Sequence, residues 1–300
     1  MIAAIRSALF VPGDSTAKLA KSLSAGADAV ILDLEDSVAA ERKAGARETT
    51  LAFLADARKS QARPLLMVRI NALETSLADA DLDAVVAGSP DAIILPKAEG
   101  GAAIAHLDAK LAAREAIHGL PDGEIRILPI ATETASALFV AGTYGGVSAR
   151  LMGLSWGAED LSADLGAETN RDAEGRFTEP FRFARNLCLA AAAAANVQAI
   201  DTVFIDFRDP DGLKREAEEA RRDGFSGKLA IHPGQVAVIN EVFTPSPDAV
   251  AKAQAVLAAF AENPGAGVVG ISGVMYDRPH LERAKQLLAR AAAAGVGPAS

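Results

Sequence analysis

Charged residues stand at the ends of evenly spaced apolar runs in this chain. Arg69 ends Leu65-Leu66-Met67-Val68-Arg69-Ile70, Glu133 follows Ile127-Leu128-Pro129-Ile130-Ala131-Thr132, and Asp160 follows Leu151–Glu159. A strand needs no charge at its end for packing. Several such ends point to one shared pocket, which is how a parallel β/α barrel builds an active site. Glu133 and Asp160 come from neighbouring runs, and two carboxylates so placed suit a hard divalent cation. Magnesium is held by one or two carboxylates, with water and substrate oxygens filling its octahedron. No His/Cys cluster has the spacing of a zinc site. The plainer alternative is that each carboxylate caps the next helix or pairs with a surface base.

Asp33-Leu34-Glu35-Asp36 ends the second run. Three acids within four residues are costly unless a cation or base is near. Glu35 and Asp36 are expected to face the site and hold metal-bound water, with Ser37 capping the following helix. The Arg69 guanidinium suits a two-bond clamp on a carboxylate; it is equally suited to neutralising the Asp33–Asp36 cluster, and the two roles are compatible. Lys97 ends the fourth run, where a lysine is able to form a Schiff base, although the carboxylate set makes that less needed. His232 ends the eighth run, placed to bind substrate or to orient its loop, and His106, His118 and His280 read as surface residues. No GxSxG elbow is present to support a serine triad. The single cysteine, Cys188, precedes an alanine-rich stretch and reads as helix packing, since no base is placed to activate it.

These residues need elements to hold them. Eight short apolar runs alternate with segments of helical period: Ala8–Val11, Ala29–Leu34, Leu65–Ile70, Ala92–Leu95, Arg126–Ala131, Arg150–Leu154, Thr202–Ile205 and Lys228–Ile231. Helices are expected between them, for example over Thr16–Ala25 and Val38–Lys59. Eight β/α units in roughly 250 residues predict a (β/α)8 barrel. A doubly wound sheet is the runner-up, but Val11-Pro12-Gly13-Asp14 after the first run is a turn and not a GxGxxG loop. After about residue 240 the rhythm changes. A helix over Asp248–Glu262, a link at Asn263–Gly267, an apolar run at Val268–Val274 and a final alanine-rich helix predict an arm or lid, dividing the chain into a barrel, 1–240, and a tail, 241–300.

The 300 residues are 50% hydrophobic and 23% charged, a globular composition. No stretch approaches the ~20 apolar residues of a membrane span, and Arg6 interrupts any signal-peptide core, so the expected place is the cytoplasm. A net charge of −9 with no basic face argues against nucleic acid as a partner.

Taken in order, Arg6–Lys18, Asp33-Leu34-Glu35-Asp36, Val68-Arg69-Ile70-Asn71, Leu95-Pro96-Lys97, Glu133-Thr134-Ala135, Gly157-Ala158-Glu159-Asp160-Leu161, Ala199–Asp209, Gly227–Pro233 and Phe243–Pro247 resemble the citrate lyase β-subunit-like family of the HpcH/HpaI aldolase superfamily. The resemblance implies a magnesium-dependent barrel that makes or breaks carbon–carbon bonds in 3-hydroxyacyl thioesters. It implies that Glu133 and Asp160 bind Mg2+, that Arg69 binds the substrate carboxylate or thioester oxygen, and that Phe10 and Lys18 lie by coenzyme A. The segment Met275-Tyr276-Asp277-Arg278-Pro279 is similar to the lid of malyl-CoA and citramalyl-CoA lyases. There the matching aspartate is an acid/base delivered from a neighbouring subunit of a homotrimer or hexamer; by sequence alone Asp277 is a helix cap. A lyase releasing acyl-CoA and a 2-oxoacid (glyoxylate or pyruvate) leads. A malyl-CoA thioesterase, a citrate lyase β subunit acting on an acyl-carrier protein, and a non-catalytic thioester-binding protein are the alternatives.

Overall fold

The computed structural model describes residues 4–296. Its strands are β1 (Ser7–Pro12), β2 (Ala29–Asp33), β3 (Leu65–Arg69), β4 (Ala92–Leu95), β5 (Arg126–Pro129), β6 (Gly153–Leu154), β7 (Gln198–Asp201) and β8 (Gly227–Ala230). They pair in parallel in the order β5-β4-β3-β2-β1-β8-β7-β6. Parallel bridges Ile127↔Leu151 and Ile130↔Ser155 join β5 to β6 and close the ring. This is the expected (β/α)8 barrel.

Side chains alternate along each strand, and both faces are buried, so the runs read as continuously apolar. Ala29 and Ile31 of β2 pack inside the barrel with Met67, Ala92 and Leu128. Val30 and Leu32 point outward, to Leu66, Val68 and the helices. The inward row carries the chemistry. One step of two past Ile31 is Asp33, and one step past Met67 is Arg69; the ladder pairs these two directly.

The seventh strand is not Thr202–Ile205 as the β-branched and aromatic residues suggest, but Gln198–Asp201. Thr202–Ile205 lies beyond the strand end, where Ile205 is 49% exposed. Asp201, a residue that sequence reasoning keeps out of strands, is wholly buried at the end of the true one. It is tolerated there because Lys228 Nζ (2.9 Å), Trp156 Nε1 (2.7 Å) and Arg185 Nε (3.2 Å) all donate to it. Lys228 is itself fully buried and also donates to Glu216 at 2.9 Å. Lys228→Met is expected to destabilise the fold by about 3 kcal/mol, the low end for breaking a buried pair, because Arg185 still faces the orphaned carboxylate. Urea denaturation followed by circular dichroism checks this.

The tail holds a helix (Pro247–Glu262), a hairpin of β9 (Val268–Ile271) and β10 (Val274–Asp277), and a final helix (Arg278–Ala293). The apolar run at Val268–Val274 is therefore two strands and not one. Ser272 and Gly273, both at positive φ (48° and 81°), turn the chain between them, the backbone a two-residue hairpin loop requires. Val256, Phe260, Val269 and Leu281 form a small core of their own, separate from the barrel's. Met275 of the hairpin is 73% exposed. Among the described residues, no helix is long and apolar enough to cross a membrane.

Candidate active site

At the C-terminal end of the strands lies a cavity of about 410 Å3 lined by Phe10, Asp33, Asp36, Arg69, Glu133, Trp156, Asp160 and neighbours. The barrel brings these residues together from β1, β2, β3, β5 and β6. Arg69 Nε and Nη2 donate to Asp33 Oδ1 and Oδ2, each at 2.7 Å. The two-bond clamp anticipated for the guanidinium is thus made with an internal carboxylate. Nη1 is left 2.8 Å from Glu35 Oε2 and 3.5 Å from Asp36 Oδ2, with the Phe10 ring 4.8 Å away. Both roles read for Arg69 are compatible with this placement. It neutralises the acidic cluster, and it also lines the cavity.

Asp33 also accepts the amides of Glu35 (2.9 Å) and Ser37 (3.1 Å). Ser37 caps no helix, because the chain does not turn helical until Ala40. A short 3-10 turn at Ala40–Arg42 intervenes, and the helix begins at Lys43. The acidic cluster is a tight turn folded around Asp33 and not a helix start, which explains the spacing that misled the sequence reading.

Glu133 is buried above β5 and Asp160 sits in the first turn of the helix Ala158–Leu165, whose N-terminus favours negative charge. Lys97 ties them. Its backbone N–H donates to Glu133 Oε2 at 2.6 Å, and its Nζ lies 2.7 Å from Glu35 Oε1 and 3.0 Å from Asp160 Oδ1. These contacts outweigh burial and hold the Lys97 ammonium above its ordinary pKa. A Schiff-base lysine needs the opposite shift. Burial, then repulsion from Asp160, pushes the Glu133 carboxyl well above the usual carboxylate range. Burial alone would raise Asp160 too, but hydrogen bonding to Glu133 and Lys97 leaves it below that range. Burial is also the largest influence on Glu35, which it holds above its ordinary value despite Arg69 and Lys97.

This donor set fits a magnesium ion. No group of three or more His, Cys, Asp or Glu poised for a metal occurs among the described residues; magnesium needs only one or two carboxylates. Glu35 Oε2 is buried and meets the Arg69 guanidinium at 2.8 Å without a well-aligned hydrogen bond, which leaves it able to accept from a metal-bound water. Gly157 leaves the cradle open: a Cβ there would stand 2.9 Å from Glu133 Oε1 and 3.0 Å from its Cγ. Gly157→Ala is accordingly expected to displace Glu133 and weaken magnesium binding about tenfold or more, the scale of lost support around a metal. Calorimetric titration with magnesium chloride checks it.

The remaining residues fall elsewhere. Lys18 is exposed on the helix Thr16–Ser22 and does not line the cavity. His232 caps the helix Pro233–Phe243 in a reciprocal box with Gln235 and stacks on Phe207, the loop-orienting alternative. Cys188 is fully buried on the helix Glu179–Ala194, and burial raises its thiol, as packing and not nucleophilic duty implies. Asp277 caps the helix Arg278–Ala293 reciprocally with His280. Its side chain is 50% exposed, and His280 holds its carboxyl below the ordinary range. It does not line the cavity of its own chain. Sequence reasoning missed Trp156, the chain's only tryptophan, which lines the cavity, meets Phe177 edge-on at 5.0 Å and is anchored by Asp201. A lone tryptophan two residues past a strand, beside a glycine, was the signal available.

Comparison with known proteins decides the lineage. The model of the HpcH/HpaI aldolase/citrate lyase family matches residues 6–233. The chain belongs to this family. A mitochondrial citramalyl-CoA lyase of Mus musculus is 35% identical, over 94% of this chain and 85% of its own length. A (3S)-malyl-CoA thioesterase of Cereibacter sphaeroides is also 35% identical, over 98% of this chain and 97% of its own. Among solved structures, protein CitE from Mycobacterium tuberculosis, in complex with magnesium, acetoacetate and coenzyme A, superposes with a TM-score of 0.77 at 35% identity. That match covers 97% of this chain and 99% of the other. Proteins similar to this chain thus include both a lyase and a thioesterase by name.

Proposed function

We propose that this chain is a magnesium-dependent lyase that cleaves or forms a 3-hydroxyacyl-CoA, with acyl-CoA and a 2-oxoacid such as glyoxylate or pyruvate as the other pair. Malyl-CoA, β-methylmalyl-CoA and citramalyl-CoA are the substrates in view. The observation that carries the reading is the pairing of Glu133 and Asp160 at the mouth of the barrel beside Arg69. Glu133 and Asp160 would hold the magnesium, which when bound supplies Lewis-acid stabilisation of oxygen charge. Glu35 and Asp36 lie where they would orient its waters. Nη1 of Arg69 faces the developing enolate or the carboxylate, a fixed charge in a partly buried site. Phe10 flanks that guanidinium. With Lys18 on the adjacent helix, it would meet the coenzyme A moiety.

Cleavage breaks the bond between the acyl α-carbon and the carbinol carbon. The electron pair passes to a thioester enolate, the hydroxyl loses its proton to leave the oxoacid carbonyl, and the α-carbon takes up a proton. Asp277 is assigned to that last transfer. It lies outside its own chain's cavity on an exposed hairpin and helix junction, which supports delivery of residues 241–300 as a lid to a neighbouring copy. The working protein is then a cytoplasmic homotrimer or homohexamer with no nucleic-acid or membrane partner.

The deciding assay gives purified protein magnesium with malyl-CoA or citramalyl-CoA and resolves every product. Acetyl-CoA with glyoxylate or pyruvate establishes the lyase and names its substrate. Free CoA with malate or citramalate moves the function to thioesterase, the activity in the name of the Cereibacter relative. Absence of turnover with both removes these acyl groups from consideration.

A further inference from the structure

Lys97 touches Glu35, Glu133 and Asp160 together, and the Schiff-base role its position suggested is not supported. Its backbone adopts φ +50°, one of four positive values at non-glycine residues among those described. A side chain with a Cβ holds that conformation at a cost, and such strain persists where the surroundings enforce it. Two ties result from it. The Lys97 N–H takes Glu133 Oε2 at 2.6 Å. The ammonium, reaching back across the site, takes Asp160 Oδ1 at 3.0 Å while anchored on Glu35 Oε1 at 2.7 Å. Each metal-binding carboxylate therefore has one oxygen engaged by Lys97, leaving Glu133 Oε1 and Asp160 Oδ2 for a cation.

We propose that Lys97 is a positioning residue that restricts Glu133 and Asp160 to one oxygen each and so selects magnesium over calcium. The proposal rests on the magnesium reading given above. Magnesium demands a tight octahedron and takes carboxylates through single oxygens, with waters retained. Calcium accommodates six to eight oxygens and readily takes both oxygens of one carboxylate. Released from Lys97, Asp160 is free to turn both oxygens to the larger ion. The positive charge of Lys97 opposes both divalent ions alike, so the ratio of their affinities reports the geometry and not the charge.

The test is calorimetric titration of the full chain with magnesium chloride and, separately, calcium chloride, for the wild type, Lys97→Met and Lys97→Gly. Both variants are expected to lower the magnesium-to-calcium affinity ratio tenfold or more. Lys97→Gly keeps the N–H bond to Glu133 and suits the positive φ, which offsets part of the stability lost when Glu35 loses its ammonium, so its thermal midpoint should exceed that of Lys97→Met while selectivity falls in both. Selectivity that falls alike in two variants of unequal stability is not expected of a residue whose role is only structural. Affinity for both ions falling by the same factor, or an unchanged ratio in a folded glycine variant, overturns the proposal. A wild type that binds neither ion overturns the metal assignment and this proposal with it, a result distinct from the first.

Discussion

Asp277→Asn is expected to abolish carbon–carbon cleavage while leaving the fold and magnesium binding intact. Asparagine caps a helix as well as aspartate does, so the terminus of Arg278–Ala293 keeps its oxygen acceptor. What is lost is a group able to carry a proton. General acid–base catalysis contributes about 10²–10⁴-fold, and kcat should fall within that range. A second measurement locates the residue. Mixed with a Glu133→Gln variant, which keeps its own Asp277, the Asp277→Asn protein should regain activity, because some mixed sites combine an intact barrel with an intact lid. No recovery, with subunit exchange verified, would place the acid/base in its own chain's site. Normal turnover by Asp277→Asn alone would remove it from the reaction.

Arg69→Met should carry the largest combined cost. Asp33 is almost fully buried, and both its oxygens are held by the guanidinium. Removing one partner of such a pair costs about 3–5 kcal/mol because the other charge is left buried. Activity should fall further than that loss of folded protein explains, since Arg69 lines the cavity. The pH dependence separates the two effects. Burial would raise the Asp33 carboxyl, yet Arg69 outweighs it and holds it below its ordinary 3.8. A depressed carboxyl contributes stability that is complete above the unfolded value and is lost as pH falls through the folded one. The gap between wild type and variant, measured by urea denaturation, should therefore be full at neutral pH and narrow below about pH 3.8. A gap that stays constant into acid would mean that the pair is not what holds Asp33.

Much of this architecture is legible in the sequence, for a physical reason. Strands buried on both faces must be apolar throughout, so a charge at the end of one is conspicuous, and Arg69 and Glu133 stand out on that ground alone. The meeting of Arg69 with Asp33 is a consequence of parallel register, which pairs the two without any further design. What sequence reasoning loses is contact that crosses the barrel. It places the seventh strand at Thr202–Ile205 and not at Gln198–Asp201 because the three donors that let Asp201 be buried, on Trp156, Arg185 and Lys228, are distant in sequence. The ties of Lys97 to Glu133 and Asp160 escape it, because the positive φ of Lys97 leaves no mark on composition. Ser37 looked like a cap because the preference of serine for helix starts says nothing about a neighbouring aspartate that takes its amide first.

The joint between β5 and β6 has a bearing on how the molecule breathes. β6 is two residues long, and its link to β5 consists of isolated bridges, whereas β1 and β2 share five paired positions. Glu133 stands on one lip of this joint and Asp160 on the other. A cation shared between them would act as a clasp across a sparsely laddered part of the ring. Hydrogen exchange should then show the amides of Met152 and Ser155 slowing when magnesium is added, while those of β1 and β2 do not change. The same ion that serves the chemistry would keep the barrel shut.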